Sequence, residues 1–425
     1  MSTHLPSTAD DAFDLPVEIW HDIIDFATNI PGAFTLRNYF DIETFCEETH
    51  GISVGSAFQN ALAVKLALSG TSKFFNRVVQ RFLLRYIRIT SPKQVLIMSK
   101  SLESGIRHGG ITQMGLERWT IRVEVAVVTG YVWMPEHTAA ICYLLGFCKS
   151  MTSFSSLFTS IPGGQLGLPE ILKCLGSCPS LRRLETRVDG DIGHDLQPLR
   201  SFLEVLCWRG KSRNSISHEF PQLRVLITNS DSGNPKQIIA PKLLACVVAS
   251  GGDFRMTTPQ PDIKVDAKVV EYLSPCLIQK DKLSDLPNWT SLKAIRFTYC
   301  SLVNWDCIWP NEGSVIPSLE CVLIDGFLMR LPDGTRGRFG SGYLQENLKK
   351  LSTLSMFPNL RTFKLFLGFL DPVLQAWIPT EDRDIWSVWF SSLSSGQRVF
   401  ISRGQAEWVG NRWVEFDGQR AFAFW

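Results

Sequence analysis

Apolar positions follow two different rhythms along the chain, and the change falls near residue 110. Near the N-terminus Ile19, Ile23, Phe26 and Ile30 step by four, three and four residues, which lays one apolar stripe along a helix. Pro16 stands at the start of that segment, where a missing N–H costs nothing, and Glu18 lies in its first turn. The stretch 31–58 breaks the pattern and is rich in Gly, Glu and Thr. Helical spacing resumes from Ala61 to about Tyr86 through Leu62, Leu66, Phe74, Val78, Phe82 and Leu83. The N-terminal part therefore reads as helices and loops.

Beyond residue 110 a Pro-x-Leu triplet recurs, each time with an apolar residue three positions after the Leu. The instances are Pro179-x-Leu181 with Leu184, Pro221-x-Leu223 with Leu226, Pro241-x-Leu243 with Cys246, Pro317-x-Leu319 with Val322, and Pro358-x-Leu360 with Phe363. Two segments share the pattern without the Pro, led by Leu203 and Leu292. The second of these, with Ile295, Phe297 and Cys300, matches the leucine-rich-repeat template. Successive leading leucines are 22, 20, 20, 49, 27 and 41 residues apart, single or double steps of a unit of about 20–29 residues. Helical candidates fall between them at Pro169–Gly176, Ala267–Leu273 and Tyr343–Leu354, so strand and helix are expected to alternate. The competing reading is a single irregular α/β domain, since apolar residues three apart also recur by chance in a hydrophobic chain.

Composition sets the scale. The 425 residues, 45% hydrophobic and 20% charged, form an ordinary globular balance that excludes wholesale disorder and leaves room for two or three structural units. The start of the chain is polar and acidic, without the pattern of a signal peptide, and the longest apolar run, Ala139 to Cys148, is about half of what a bilayer requires. Eleven cysteines are too sparse for a disulfide scaffold, and Cys207, Cys246 and Cys321 sit in strand-like runs where a small core hydrophobe would serve. A cytoplasmic or nuclear protein is the expectation.

Three N-terminal segments carry a family resemblance. Asp14-Leu15-Pro16-Val17-Glu18-Ile19, followed by Ile23 and Phe26, resembles the opening helix of the F-box motif. Leu66 to Asn76, containing Ser72-Lys73-Phe74-Phe75, resembles its closing helices. Arg81 to Ile89 looks like the basic-aromatic exit strand of fungal F-box proteins. The resemblance implies an α+β chain: a small helical F-box-like module (14–89, with an insertion at 31–58), then an irregular α/β leucine-rich-repeat-like solenoid (90–376). Residues 1–13 form a flexible start and 377–425 a Trp-rich cap.

It also implies a function. The module would dock onto the Skp-type adaptor of a cullin–RING (SCF-type) ubiquitin ligase, and the repeats would recruit an unknown target protein for degradation. Leu15, Pro16, Ile19 and Ile23 are the docking candidates in the first helix, and Leu68, Lys73 and Phe75 those in the second half; some of the seven have to be internal. The resemblance assigns no catalytic residue, cofactor or metal, and neither nucleic acid nor membrane as a partner. The 28-residue insertion, where the family has a short connection, is a departure. Two alternatives keep the same residues: a three-helix cap over the first repeat, and a repeat scaffold with no ligase connection.

Catalytic strings were weighed against this. Gly51-x-Ser53-x-Gly55 spells a nucleophile elbow, but the residues before it are polar and acidic where that motif needs a buried strand. Gly334, Gly337, Gly340 and Gly342 belong to a Pro/Gly-rich loop. Cys174 and Cys178 lack a second pair at zinc-finger spacing, and His137, Cys142 and Cys148 make a loose triplet. Six of the thirteen tryptophans fall in the last 49 residues, around a hairpin expected to turn at Gly410-Asn411; an aromatic end-cap is the simpler account and a recognition pocket the sharper one.

Charge changes the picture last. The formal net charge is +2, which argues against a generally basic nucleic-acid binder. By segment, residues 1–60 hold ten acidic side chains and one basic, and residues 61–107 nine basic and one acidic. The F-box-like segment is strongly polarised, either for internal pairing or to offer a basic face to an acidic partner.

Overall fold

The computed structural model describes residues 15–30, 54–104, 113–126, 131–156, 167–187, 196–209, 218–229, 237–249, 262–266, 268–273, 289–298, 315–326, 357–360, 362–367, 398–401, 406–409 and 412–415. The architecture is mixed helix and strand, with seven helices among the described residues. The chain divides into two compact units, 1–36 with 53–181, and 37–52 with 182–425.

The first unit opens with α1 (Val17–Ala27), α2 (Val54–Thr71) and α3 (Lys73–Arg85). Pro16 precedes α1, and Thr28 closes it by donating both its N–H and its hydroxyl to the Ile24 carbonyl, at 3.0 and 2.7 Å. Ser72 caps α3, its hydroxyl accepting from the Phe75 N–H at 3.1 Å. Ile24 packs with Val78, Val79 and Phe82, flanked by Trp20, Leu68 and Leu83. A second cluster joins Ile30, Ala61 and Tyr86, with Phe58 against it.

Strands then alternate with helices: β1 (Tyr86–Ile89), α4 (Pro92–Glu103), α5 (Gln113–Trp119), β2 (Arg122–Val125), α6 (Pro135–Phe147), β3 (Ser153–Ser156) and α7 (Leu168–Leu175). β1, β2 and β3 pair in parallel and in sequence order, each joined to the next by helix, as parallel pairing requires. Pro92, Pro135 and Pro169 stand in the first turns of α4, α6 and α7. A buried residue precedes each strand by two positions: Leu84, Thr120 and Met151.

The second unit repeats that strand with different returns. Its strands are β4 (Arg183–Arg187), β5 (Val205–Arg209), β6 (His218–Glu219), β7 (Val225–Asn229), β8 (Gln237–Ala240), β9 (Ala245–Ala249), β10 (Asp262–Val265), β11 (Tyr272–Leu273), β12 (Ala294–Thr298), β13 (Cys321–Gly326), β14 (Thr362–Leu367), β15 (Arg398–Ile401), β16 (Ala406–Val409) and β17 (Arg412–Glu415). One parallel ladder runs β4-β5-β7-β9-β11-β12-β13-β14-β15, in register throughout. β16 and β17 add antiparallel at its end, with Val409 opposite Arg412 as the expected hairpin requires. A second parallel sheet is formed by β10, β8 and β6.

The Pro-x-Leu triplet has a physical role here. In each instance the leading Leu donates its N–H to the carbonyl three residues back: Leu223 to Phe220 at 3.3 Å, Leu243 to Ala240 at 3.2 Å, Leu319 to Ile316 at 3.4 Å and Leu360 to Phe357 at 3.2 Å. That is a four-residue turn with Pro at its second position, where a fixed φ is pre-set for the bend. The Leu is buried, and the strand starts two residues later. The residue after the Leu forms the first ladder rung: its carbonyl accepts two N–H groups of the next strand, as Arg224 accepts from Leu244 and Ala245 at 2.8 and 3.0 Å.

Three expectations need correction. Ala267–Leu273 is not a helix: its described part is a turn running into β11, with the buried Val270 in the leading position. β11 lies between β9 and β12, so the 49-residue gap is indeed two steps. The 41-residue gap is a single step, because β13 pairs directly with β14. The described returns at 218–219, 237–240 and 262–265 are strands, where strand and helix were expected to alternate. A five-residue strand is about 17 Å long and a helix needs about eleven residues to retrace it, which a 20-residue unit cannot spare. Tyr343–Leu354 lies outside the described residues.

Candidate docking surface on the first helix

α1 presents two faces. Trp20 and Ile24 turn inward; Trp20 meets Phe75 edge-on, with ring centroids 5.0 Å apart, and Ile24 is fully buried. Three residues of the stripe read from the sequence point the other way, Ile19 and Ile23 being 43% and 44% exposed and Phe26 90%, with Leu15 46% exposed beside them; the fourth, Ile30, is 2% exposed and packs with Ala61 and Tyr86. On a helical projection Leu15, Ile19, Ile23 and Phe26 share one side, within about 80° or under a quarter of the circumference. Pro16 is exposed beside them.

Of the second group, Lys73 is exposed on the first turn of α3. Leu68 is half-buried against the Ile24 cluster. Phe75 is 6% exposed and belongs to the core, which corrects its place among the docking candidates. Helix phase explains this: Phe75, Val78, Val79 and Phe82 form the inward face of α3, and Phe74 is turned outward. Exposed Phe26, Val64, Leu66 and Phe74 were not among the expected docking residues. The i, i+3/i+4 stripe contains Phe26, but periodicity finds a face without saying what it meets.

Charged side chains of α1, α2 and α3 come close together. Asp25 on α1 accepts a hydrogen bond from Arg85 at the end of α3. Lys65 on α2 is buried near both; burial, then the Arg85 charge, lower its pKa to about 8, while Asp25 acts in the opposite direction. His21 stacks edge-on with Phe82, and burial followed by the Arg81 charge lowers its pKa. α2 and α3 contain no Asp or Glu, and α3 exposes Lys73 and Arg77 one turn apart. The acidic side chains exposed on α1 are Glu18 and Asp22.

The other strings bring no reactive constellation together. Ser53 and the Gly334–Gly342 loop lie outside the described residues. His137 is turned into the cap of α6, its Nδ1 accepting from the Met134 N–H at 2.8 Å. Cys178 is buried, its thiol 3.9 Å from the Cys174 carbonyl and 4.0 Å from that of Leu145. Among the described residues no group of three or more His, Cys, Asp or Glu could hold a metal ion, and no helix is long and apolar enough to cross a membrane.

Compared with known proteins, the chain matches no family model and no curated protein. What the site offers is therefore read from its own chemistry: an apolar face on α1 and exposed basic side chains on α3, suited to binding a protein groove rather than to covalent chemistry.

Proposed function

We propose that α1–α3 act as an F-box-like module that docks onto the Skp-type adaptor of a cullin–RING ubiquitin ligase, and that the parallel ladder is part of an irregular leucine-rich-repeat-like solenoid that recruits a target protein. The observation that carries this reading is the outward stripe Leu15, Ile19, Ile23 and Phe26 on a helix whose opposite side is already packed. A helix that only capped the ladder would have no need of it.

Magnitudes limit what the stripe does alone. Burying the half-exposed Leu15, Ile19 and Ile23 contributes on the order of 1 kcal/mol each and Phe26 roughly 2. Association costs at least about 4 kcal/mol. Tight binding needs further contacts, for which Leu66, Phe74 and Lys73 are the exposed candidates.

The test is a pull-down of the full chain with purified Skp-type adaptor, wild type against the Leu15→Ala, Pro16→Ala double variant. Retention of wild type and at least a several-fold loss in the variant are expected. Absence of wild-type binding, or equal binding of both, removes the ligase connection. The alternative reading, a repeat scaffold without it, would then stand on the ladder alone.

A further inference from the structure

The returns of the second unit change character at β5, and one contact spans the change. Before β5 the chain returns through the short helical turn Gln197–Leu199, with Leu196 and Leu199 fully buried. After β5 it returns through β6, at the end of the second parallel sheet, where His218 pairs with Ile238 and Glu219 with Ile239 of β8. Arg200 leaves the turn half-buried, and its Nη2 lies 2.7 Å from Nδ1 of His218, which is fully buried. The Trp208 ring of β5 and the Phe220 ring each lie 6.5 Å from the imidazole, centroid to centroid.

That contact fixes the state of the ring. A guanidinium only donates hydrogen bonds, so Nδ1 of His218 is the acceptor and the ring's one proton sits on Nε2. A second proton could enter only at Nδ1, the atom that Arg200 occupies, and it would bury two cations against each other. The other groups around the ring bring no opposite charge to it. Trp208 and Phe220 are uncharged, β8 contributes Ile238 and Ile239, and Glu219 is exposed on the opposite face of His218's own strand.

We propose that the Arg200–His218 contact is an acid-operated clip: a proton taken by His218 breaks it and releases β6 from the second sheet while the main ladder stays paired. β6 is the strand most easily lost. It is two residues long and, among the described strands, pairs only with β8, whereas β5, β7 and β9 are each paired on both sides. An imidazole in water takes its second proton near pH 6.5, so the opened strand binds a proton that the closed one excludes. The clip is therefore fully engaged above that pH and is lost as pH falls below it. Opening uncovers the N–H and C=O groups of β8 that face β6, which makes a free sheet edge.

The experiment follows hydrogen exchange of the folded full chain at about pH 7.5 and about pH 5.5, each rate divided by that of the unfolded chain at the same pH. Peptides covering His218–Phe220 should exchange about ten-fold faster at the lower pH, the factor that one proton titrating near 6.5 supplies over that interval. Those covering β5, β7 and β9 should keep their protection. In His218→Gln the side-chain carbonyl can still accept from Arg200 but takes no proton, so exchange should be slow at both pH values. Arg200→Met, which lacks the donor, should already show the faster exchange at the higher pH. Long-range nitrogen–proton NMR spectra of the histidine-labelled wild type, with His218 assigned by its loss in His218→Gln, should show a neutral ring protonated at Nε2 at the higher pH. A doubly protonated ring there, or equal exchange of His218–Phe220 at the two pH values, would overturn the proposal. So would acid release that persists in His218→Gln, or loss of protection across β5, β7 and β9 together with β6.

Discussion

The ladder at residues 86–156 and the ladder at residues 183–249 use one strand unit and differ in everything around it. Both start each strand two residues after a buried leading side chain. In the first unit the leading residues Leu84, Thr120 and Met151 are 36 and 31 residues apart, and helices make the return. In the second, Leu203, Leu223 and Leu243 are 20 residues apart, and the returns contain strands. Interval length selects the return, because helix advances about 1.5 Å per residue and strand about 3.3 Å.

The ladders also differ in the side chains on one face. In the first unit that face carries Tyr86, Arg88, Arg122, Glu124, Ser153 and Ser155. Glu124 gathers three of them: it accepts from the Tyr86 hydroxyl and lies 3.0 Å from Arg88 and 3.7 Å from Arg122. In the second unit β4 keeps a buried Arg183–Glu185 pair, but β5, β7 and β9 carry Val205, Cys207, Val225, Ile227, Ala245 and Val247, all buried. Leucine-rich-repeat sheets line a concave surface used for binding. Here the residues on this stretch of the face are buried, so a target of the proposed solenoid would have to meet other surfaces.

The sharpest break of the comparison is Glu124→Leu. Depriving buried Arg122 and partly buried Arg88 of their shared carboxylate should cost about 3 kcal/mol, read as a lower urea midpoint. At the matching face in the second unit, Ile227→Ala should cost about 2–4 kcal/mol through a cavity alone, with no dependence on salt or pH. A cost for Glu124→Leu below that for Ile227→Ala would show that the charged face contributes little.

Lys65→Met should act in the opposite direction. The folded-state pKa of Lys65 is depressed, from an ordinary 10.5 to about 8. The unfolded chain then binds more protons between about pH 8 and 10.5, so the first unit should gain stability as pH rises through that window. Replacing the ammonium with an apolar group should raise stability at pH 7 by roughly 1–3 kcal/mol and flatten the rise. Urea titrations at pH 7 and pH 9 compare the two; an unchanged slope in the variant would assign the charge cost elsewhere.

The smallest effect belongs to the rung residues. Arg182, Glu204 and Arg224 alternate in sign, as do Glu271, Lys293 and Glu320, with Arg182–Glu204 at 3.5 Å and Lys293–Glu271 at 2.9 Å. Exposed pairs of this kind are worth under about 1 kcal/mol. Glu271→Lys should therefore lower the urea midpoint slightly at low salt and not at all at 1 M salt; a large effect at either would make the alternation a main determinant of strand order.

Particular residues show how much was legible. Pro221 and Pro241 marked turns because Pro fixes φ, and the leucines two residues later marked strand starts because both signals are local. Strand β11 was missed because Val270 lacks a preceding Pro and Tyr272–Leu273 is too short to show alternation. The back strands escaped because helix and short strand compete within a 20-residue unit, and only the geometry of the return decides. In the candidate site, Ile19, Ile23, Phe26 and Ile30 read as one line, yet Ile30 is buried, and the outward direction of the other three depends on Trp20 and Ile24 reaching Phe75 and Val78 on α3. That pairing is tertiary and leaves no periodic trace. Phe75 and Phe74 differ by one residue, a 100° rotation, and only packing says which turns inward.

The docking stripe is the central claim, and hydrogen exchange of the full chain with and without saturating Skp-type adaptor tests it most directly. Slowed exchange of the amides of Leu15–Thr28, lost in an Ile19→Asp, Ile23→Asp variant whose ladder amides exchange as in the wild type, is the result predicted here. Unchanged exchange over Leu15–Thr28, or protection confined to the strands from Arg183 onward, would contradict it.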